Sequence, residues 1–128
     1  MSVLNRIRDT LQTLCASEET PMEGVWYGGC RADKLDTWNY FVFNRQKGIK
    51  ASNRMDLETR YEIHIIHEDY IPEGYVQTVI DALEAPAGPG TKLRLADEDI
   101  LYEYTFKGNT TMVVEVATLV FIHPEKRC

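Results

Sequence analysis

Apolar residues recur along this chain with two periods, and the switch between them falls at one place. Over residues 60–70, RYEIHIIHEDY, Tyr61, Ile63 and Ile65 point one way and Glu62, His64 and Ile66 the other, the period of two that a pleated strand imposes. From Pro72 onward Val76, Val79, Ile80 and Leu83 recur at helical spacing. Pro72 suits a first helical position, where its missing N–H is not needed, and Glu73 adds negative charge near the positive helix end. The pattern predicts a central strand running straight into an amphipathic helix.

The same reading extends to both sides. Leu4, Ile7, Leu11 and Leu14 form one stripe of an opening helix that Ser2 can cap, and Asn5, Arg6, Arg8, Asp9 and Gln12 fall elsewhere around the turn. Residues 17–23, with three glutamates and Pro21, make the first connection. Residues 24–31, GVWYGGCR, predict a short strand in which Gly28 and Gly29 mark a bulge or a close backbone approach. Residues 37–44, TWNYFVFN, are apolar on both faces and predict a strand inside the sheet.

Between that strand and the central one, residues 45–60 are locally basic, with Arg45, Lys47, Lys50, Arg54 and Arg60 against Asp56 and Glu58. Gly48 and Ser52-Asn53 supply turn points for a long hairpin whose tip projects from the sheet. Such a tip is an arm for a neighbouring subunit or, by default, a solvated loop.

After the second helix, residues 85–90, APAGPG, break regular structure, and Leu93 and Leu95 suggest a short strand. The acidic turn Asp97-Glu98-Asp99 leads into a clear strand in which Ile100, Tyr102, Tyr104 and Phe106 alternate with Leu101, Glu103 and Thr105. A tight turn at residues 107–110 then delivers residues 111–123, TMVVEVATLVFIH, long for a strand and apolar on both faces apart from Glu115 and the threonines. That run is expected to be central or to extend into an intersubunit contact. The expected fold class is α+β, an antiparallel or mixed β-sheet with an N-terminal helix and a second helix packed on it, in one domain spanning residues 1–128.

Composition narrows the function. Fourteen basic against twenty acidic residues give a net charge of −6, which opposes nonspecific attraction to phosphate backbones and anionic membranes. The same sign suits solubility and equally suits a pore through which DNA slides without sticking. No apolar run approaches the ~20 residues of a membrane helix, and the start MSVLNRIRDTLQTL lacks the pattern of a secretory signal, so a cytosolic site of synthesis is expected. Cys15, Cys30 and Cys128 are odd in number and widely spaced, which predicts free thiols, with Cys15 packed at a helix end.

No catalytic pattern emerges. His64 and His67 are three apart, on opposite faces of a strand, whereas the zinc-protease helix motif needs four with a glutamate between. The run Gly88-Pro89-Gly90-Thr91-Lys92 follows a helix and has its lysine after the threonine, the wrong order for a phosphate-binding loop. Cys30 beside Arg31 could have a lowered thiol pKa, but no base is paired with it, and a small apolar filler is the simpler account. The run 97–99 lacks the ligand spacing of a calcium loop. No cofactor or metal is expected. Trp26, Tyr27, Trp38, Tyr70 and Tyr75 lie near strand ends and polar neighbours, positions that suit either interface or core.

The opening helix VLNRIRDTLQTL, the unit RYEIHIIHEDY running into PEGYVQTVIDAL, and the closing hairpin DILYEYTFKGNTTMVVEVATLVFIHPEK together resemble the tail-terminator, or tail-completion and head-tail joining, proteins of long-tailed bacteriophages. The resemblance covers most of the chain in length and element order. It implies a structural virion protein, not an enzyme, that forms a homo-oligomeric, hexameric ring, capping the tail tube protein and presenting a surface to a head-tail connector or stopper protein. DNA would pass through the lumen without specific binding, and the protein would sit in the tail or neck of a virion assembled in the host bacterial cytoplasm. Arg45, Lys47, Lys50 and Arg54 would meet acidic surface on a neighbour or on the tube. The rival readings are another neck component of similar size and a small cytosolic ligand-binding domain or enzyme.

Overall fold

The computed structural model describes residues 2–30, 35–46, 56–86 and 90–126, and of residues 56–58 and 124–126 the backbone alone. Helix α1 spans Val3–Cys15 and helix α2 Tyr75–Glu84. Six strands follow the chain as β1 (Val25–Tyr27), β2 (Tyr40–Arg45), β3 (Asp56–Glu68), β4 (Arg94–Leu95), β5 (Leu101–Phe106) and β6 (Val113–Lys126). They form one mixed sheet in the order β1-β2-β3-β6-β4, with β5 pairing β6 beside β4. The expected α+β class, with an N-terminal helix and a second helix, is what the chain adopts.

The core follows from the strand period. Paired positions in a ladder share a face, so Phe41 opposite Ile65, Phe43 opposite Ile63, Ile63 opposite Leu119 and Tyr61 opposite Phe121 build one apolar face. Onto it α1 brings Ile7 and Leu11, and α2 brings Tyr75, Val79, Ile80 and Leu83, all buried. The phenol ring of Tyr75 stacks on Phe41 with centroids 6.2 Å apart. Side chains such as Phe41, Ile65, Val79 and Phe121 have no exposed surface, and each contributes on the order of 1.5–3 kcal/mol by leaving water.

Helix α1 starts as its sequence predicts, with the Ser2 hydroxyl accepting from Asn5 N–H at 3.0 Å. Arg6 departs from the prediction. It is buried, 4% exposed, and its guanidinium donates to the carbonyl oxygens of Ala82, Leu83 and Ala85 at the end of α2. A cation at a helix C-terminus satisfies carbonyls that have no partner within the helix and opposes the negative dipole end.

Several boundaries move for identifiable reasons. Helix α2 begins at Tyr75 and not at Pro72, because Gly74 takes a φ of 84° outside the helical region and the Tyr75 N–H closes a turn onto the Pro72 carbonyl at 3.0 Å. Strand β1 stops at Tyr27, since Gly28 has a φ of 80° and turns the chain out of the sheet before Cys30. It runs parallel to β2, a pairing direction that side-chain period does not encode. Thr37, Trp38 and Asn39 precede β2 instead of opening it, and β3 starts four residues before Arg60, inside the stretch expected to be loop. Strands β2 and β3 do form the antiparallel pair expected of a hairpin, whose tip lies outside the described residues. Strand β6 is central, flanked by β3 from Val114 to Lys126 and by β4 and β5 on its other side.

Candidate functional site

The face of the sheet away from the helices carries the polar chemistry. His64 lies opposite Thr118 on one side and Val42 on the other. Its Nδ1 sits 2.9 Å from Thr118 Oγ1 and its Nε2 2.9 Å from Asn44 Oδ1, while Asn44 donates to Glu62 at 2.8 Å. Since Asn44 Oδ1 only accepts, Nε2 carries the proton and Nδ1 accepts from the threonine hydroxyl, the neutral imidazole. Burial lowers the His64 pKa, against the opposing pull of Glu62 and Glu103. This is a satisfied structural chain with no nucleophile in it. His67 pairs with Glu115, on the opposite face from His64, as the strand period predicts. Its Nδ1 meets the Glu68 carbonyl at 2.8 Å, and His123 Nδ1 meets that of Lys92 at 2.6 Å.

Both ends of this face are closed by ion pairs. Lys107 reaches Glu68 at 2.5 Å and donates to the Asp36 carbonyl, while Trp38 N–H donates to the same glutamate. Proximity to Lys107 and the Trp38 amide holds the Glu68 carboxyl below its ordinary range although burial acts the other way. At the far end Arg60 pairs with Glu98. Val114, opposite Glu68, and Ile122, opposite Arg60, are buried under these closures.

The thiols divide by place. Cys15 ends α1, half-buried against the core, and burial pushes it up to about 11. Cys30 lies beyond the bend that ends β1. Among the described residues no three of His, Cys, Asp and Glu gather closely enough to hold a metal ion, and no helix is long and apolar enough to cross a membrane.

What stands out is an edge. All six residues of β5 are exposed, including Leu101 at 57%, Tyr102 at 47%, Tyr104 at 64% and Phe106 at 59%. The strand pairs with β6 on one side only, so its outer row of N–H and C=O groups is unpaired among the described residues. Met112, Val113 and Tyr70 extend the apolar surface next to it. Tyr104 hydrogen-bonds Glu115, which raises the phenol pKa, and Glu115 also accepts from the Ile71 N–H at 2.8 Å. An open groove of about 410 Å³ runs between β5 and the start of α2, with Ile71, Val76, Ile80, Ile100, Tyr102 and Glu115 among its walls.

At the opposite edge of the sheet, α1 and β1 enclose a smaller open groove of about 260 Å³ lined by Leu4, Asn5, Arg8, Tyr27, Phe43 and Arg45. Of the four basic positions singled out in the sequence, Arg45 is therefore placed, exposed at the end of β2. Lys47, Lys50 and Arg54 lie outside the described residues. The five aromatics of uncertain role separate cleanly: Tyr27 and Tyr70 are exposed, Trp26 and Trp38 are half-buried, and Tyr75 is core.

Sequence reasoning read β5 as a strand without recognising it as a surface. The available signal was four large apolar residues in six, flanked by Asp97 and Asp99. In comparisons with known proteins, the chain matches no family model and no curated protein.

Proposed function

We propose that this chain is a structural subunit of a phage or phage-like tail, assembling into a ring that caps the tail tube, ends its growth and joins tail to head. The observation that carries this reading is the β5 edge, whose exposed Tyr102, Tyr104 and Phe106 share one face of the strand and form the kind of apolar patch that marks a protein–protein contact. The resemblance of the opening helix, the strand-to-helix unit and the closing hairpin to tail-terminator proteins supports the same reading. So does the net charge of −6, which lets DNA pass a lumen without being gripped. In this account the protein transforms no substrate and needs no cofactor.

The test is addition of the purified protein to tail tubes assembled without it. Binding at a single end of each tube, with growth halted there, supports a terminator; binding only to the head-side connector makes it another neck component. Absence of binding to either contradicts the reading.

The groove of about 410 Å³ beside α2 favours a second reading, a small ligand-binding domain, because it falls within the size range of ligand pockets. It is open and Tyr102 of β5 is one of its walls, so in the assembly reading it adjoins the contact surface. A small molecule that raises the melting temperature through this groove, with the chain monomeric throughout, would favour the second reading.

A further inference from the structure

We infer that the chain binds a second copy of itself head to tail, the β5 edge of one subunit docking into the α1/β1 groove of the next. The inference rests on the ring reading above and names the surfaces that would close it. The two surfaces lie at opposite margins of one sheet, β1 at one side and β5 at the other. A contact between unlike margins is heterologous and repeats until rotation closes it, and sheet twist supplies a rotation at every step.

Charge and shape match across the two. The β5 margin bears Asp97, Asp99 and Glu103, all exposed and forming no ion pair among the described residues. The groove margin bears Arg8 and Arg45, both exposed and likewise meeting no carboxylate. The same groove is lined by Leu4 and the exposed ring of Tyr27, which suit the rings of Tyr104 and Phe106. Large aromatic side chains carry ~150–250 Å² each. Half-covering the rings of Tyr104 and Phe106 accounts for about 150–250 Å² on the β5 side, so the rest of a standard ~800 Å² contact falls to the strand backbone and the flanking side chains. In a chain of net charge −6, a groove margin carrying Arg8 and Arg45 meets an acidic edge with attraction where most of the acidic surface would repel it.

Two charge-reversal chains test this, Arg8→Glu/Arg45→Glu and Asp99→Lys/Glu103→Lys, with mass measured by sedimentation velocity over a range of concentration and folding checked by circular dichroism. Each alone should self-associate at least about tenfold more weakly, since like charges then face each other across the contact. An equimolar mixture should recover assembly, because every contact then pairs acidic with basic. Wild-type assembly that neither reversal weakens, or a weakening that the mixture does not rescue, overturns this interface and leaves the ring reading standing. A wild-type chain that is monomeric at every concentration sinks both. If a reversal chain fails to fold, a Tyr27→Cys/Tyr104→Cys chain with the native cysteines changed to serine decides: a disulfide ladder longer than a dimer is expected, and none, or dimers from Tyr104→Cys alone, overturns the inference.

Discussion

Arg6 of α1 donates from its guanidinium to the main-chain carbonyl of Leu83 in the last turn of α2, so one side chain ties together the two helices that cover the sheet. Burial lowers its pKa, but a guanidinium stays charged throughout the accessible range. The contact converts a lone buried cation, which would be costly, into the cap of a helix that has no basic residue in its own last turn.

Arg6→Met should therefore destabilise the protein by about 2–4 kcal/mol, because methionine fills much of the space yet donates nothing to the carbonyls left behind. Urea denaturation measures it. A loss under about 0.5 kcal/mol would mean the carbonyls find other partners at little cost.

Tyr75 gives a prediction of opposite sign. Its ring is core, but its hydroxyl is buried with no hydrogen-bond partner among the described residues, and burial raises its pKa strongly. Removing an unsatisfied hydroxyl removes its desolvation cost, so Tyr75→Phe should stabilise by about 1 kcal/mol. A melting temperature that falls would show that the hydroxyl has a partner.

The His64 chain sets a pH dependence. Burial lowers the folded pKa below the ordinary imidazole value of about 6.5, so below that value the unfolded state binds the proton more readily. Stability from this group is complete above pH 6.5 and declines as pH falls towards the folded pKa. His64→Gln should flatten the decline that sets in as pH falls below about 6.5. An unchanged slope would assign the acid loss elsewhere, for example to the carboxyl of Glu68, whose lowered pKa costs stability at still lower pH.

Cys15, pushed up to about 11 by burial, should alkylate at least about tenfold more slowly than an unfolded thiol at pH 8, since the thiolate is the nucleophile. A Cys30→Ser/Cys128→Ser chain isolates it, and the rate in native buffer against that in urea is the measurement. Equal rates would contradict the burial.

How much of this was legible beforehand depends on the kind of information a residue pattern holds. Alternation of Tyr61, Ile63 and Ile65 against Glu62, His64 and Ile66 assigns the faces of β3 correctly, because period two is a local property of the backbone. The stripe of Leu4, Ile7, Leu11 and Leu14 likewise assigns the buried side of α1. Arg6 escaped because its partners belong to a helix some eighty residues away, and nothing local distinguishes it from the exposed Arg8. The parallel direction of β1 and the marginal position of β5 escaped for a related reason: period reports the face of a strand, not its place in the sheet. Alternation over residues 100–106 is the same whether a strand is central or at an edge, so the exposure of Tyr104 and Phe106 emerged only with the topology. Of the candidate contact residues, Arg45 gained a position beside Arg8, a grouping that no sequence spacing predicts.

The central claim is that this molecule acts through outer surfaces repeated about a symmetry axis. Negative-stain imaging of the purified chain, at concentrations where sedimentation gives its mass, tests that most directly. The account predicts closed rings of about six subunits by the family resemblance, with a mass several times the 14.7 kDa of one chain. Single particles of one-chain mass at every concentration would contradict it.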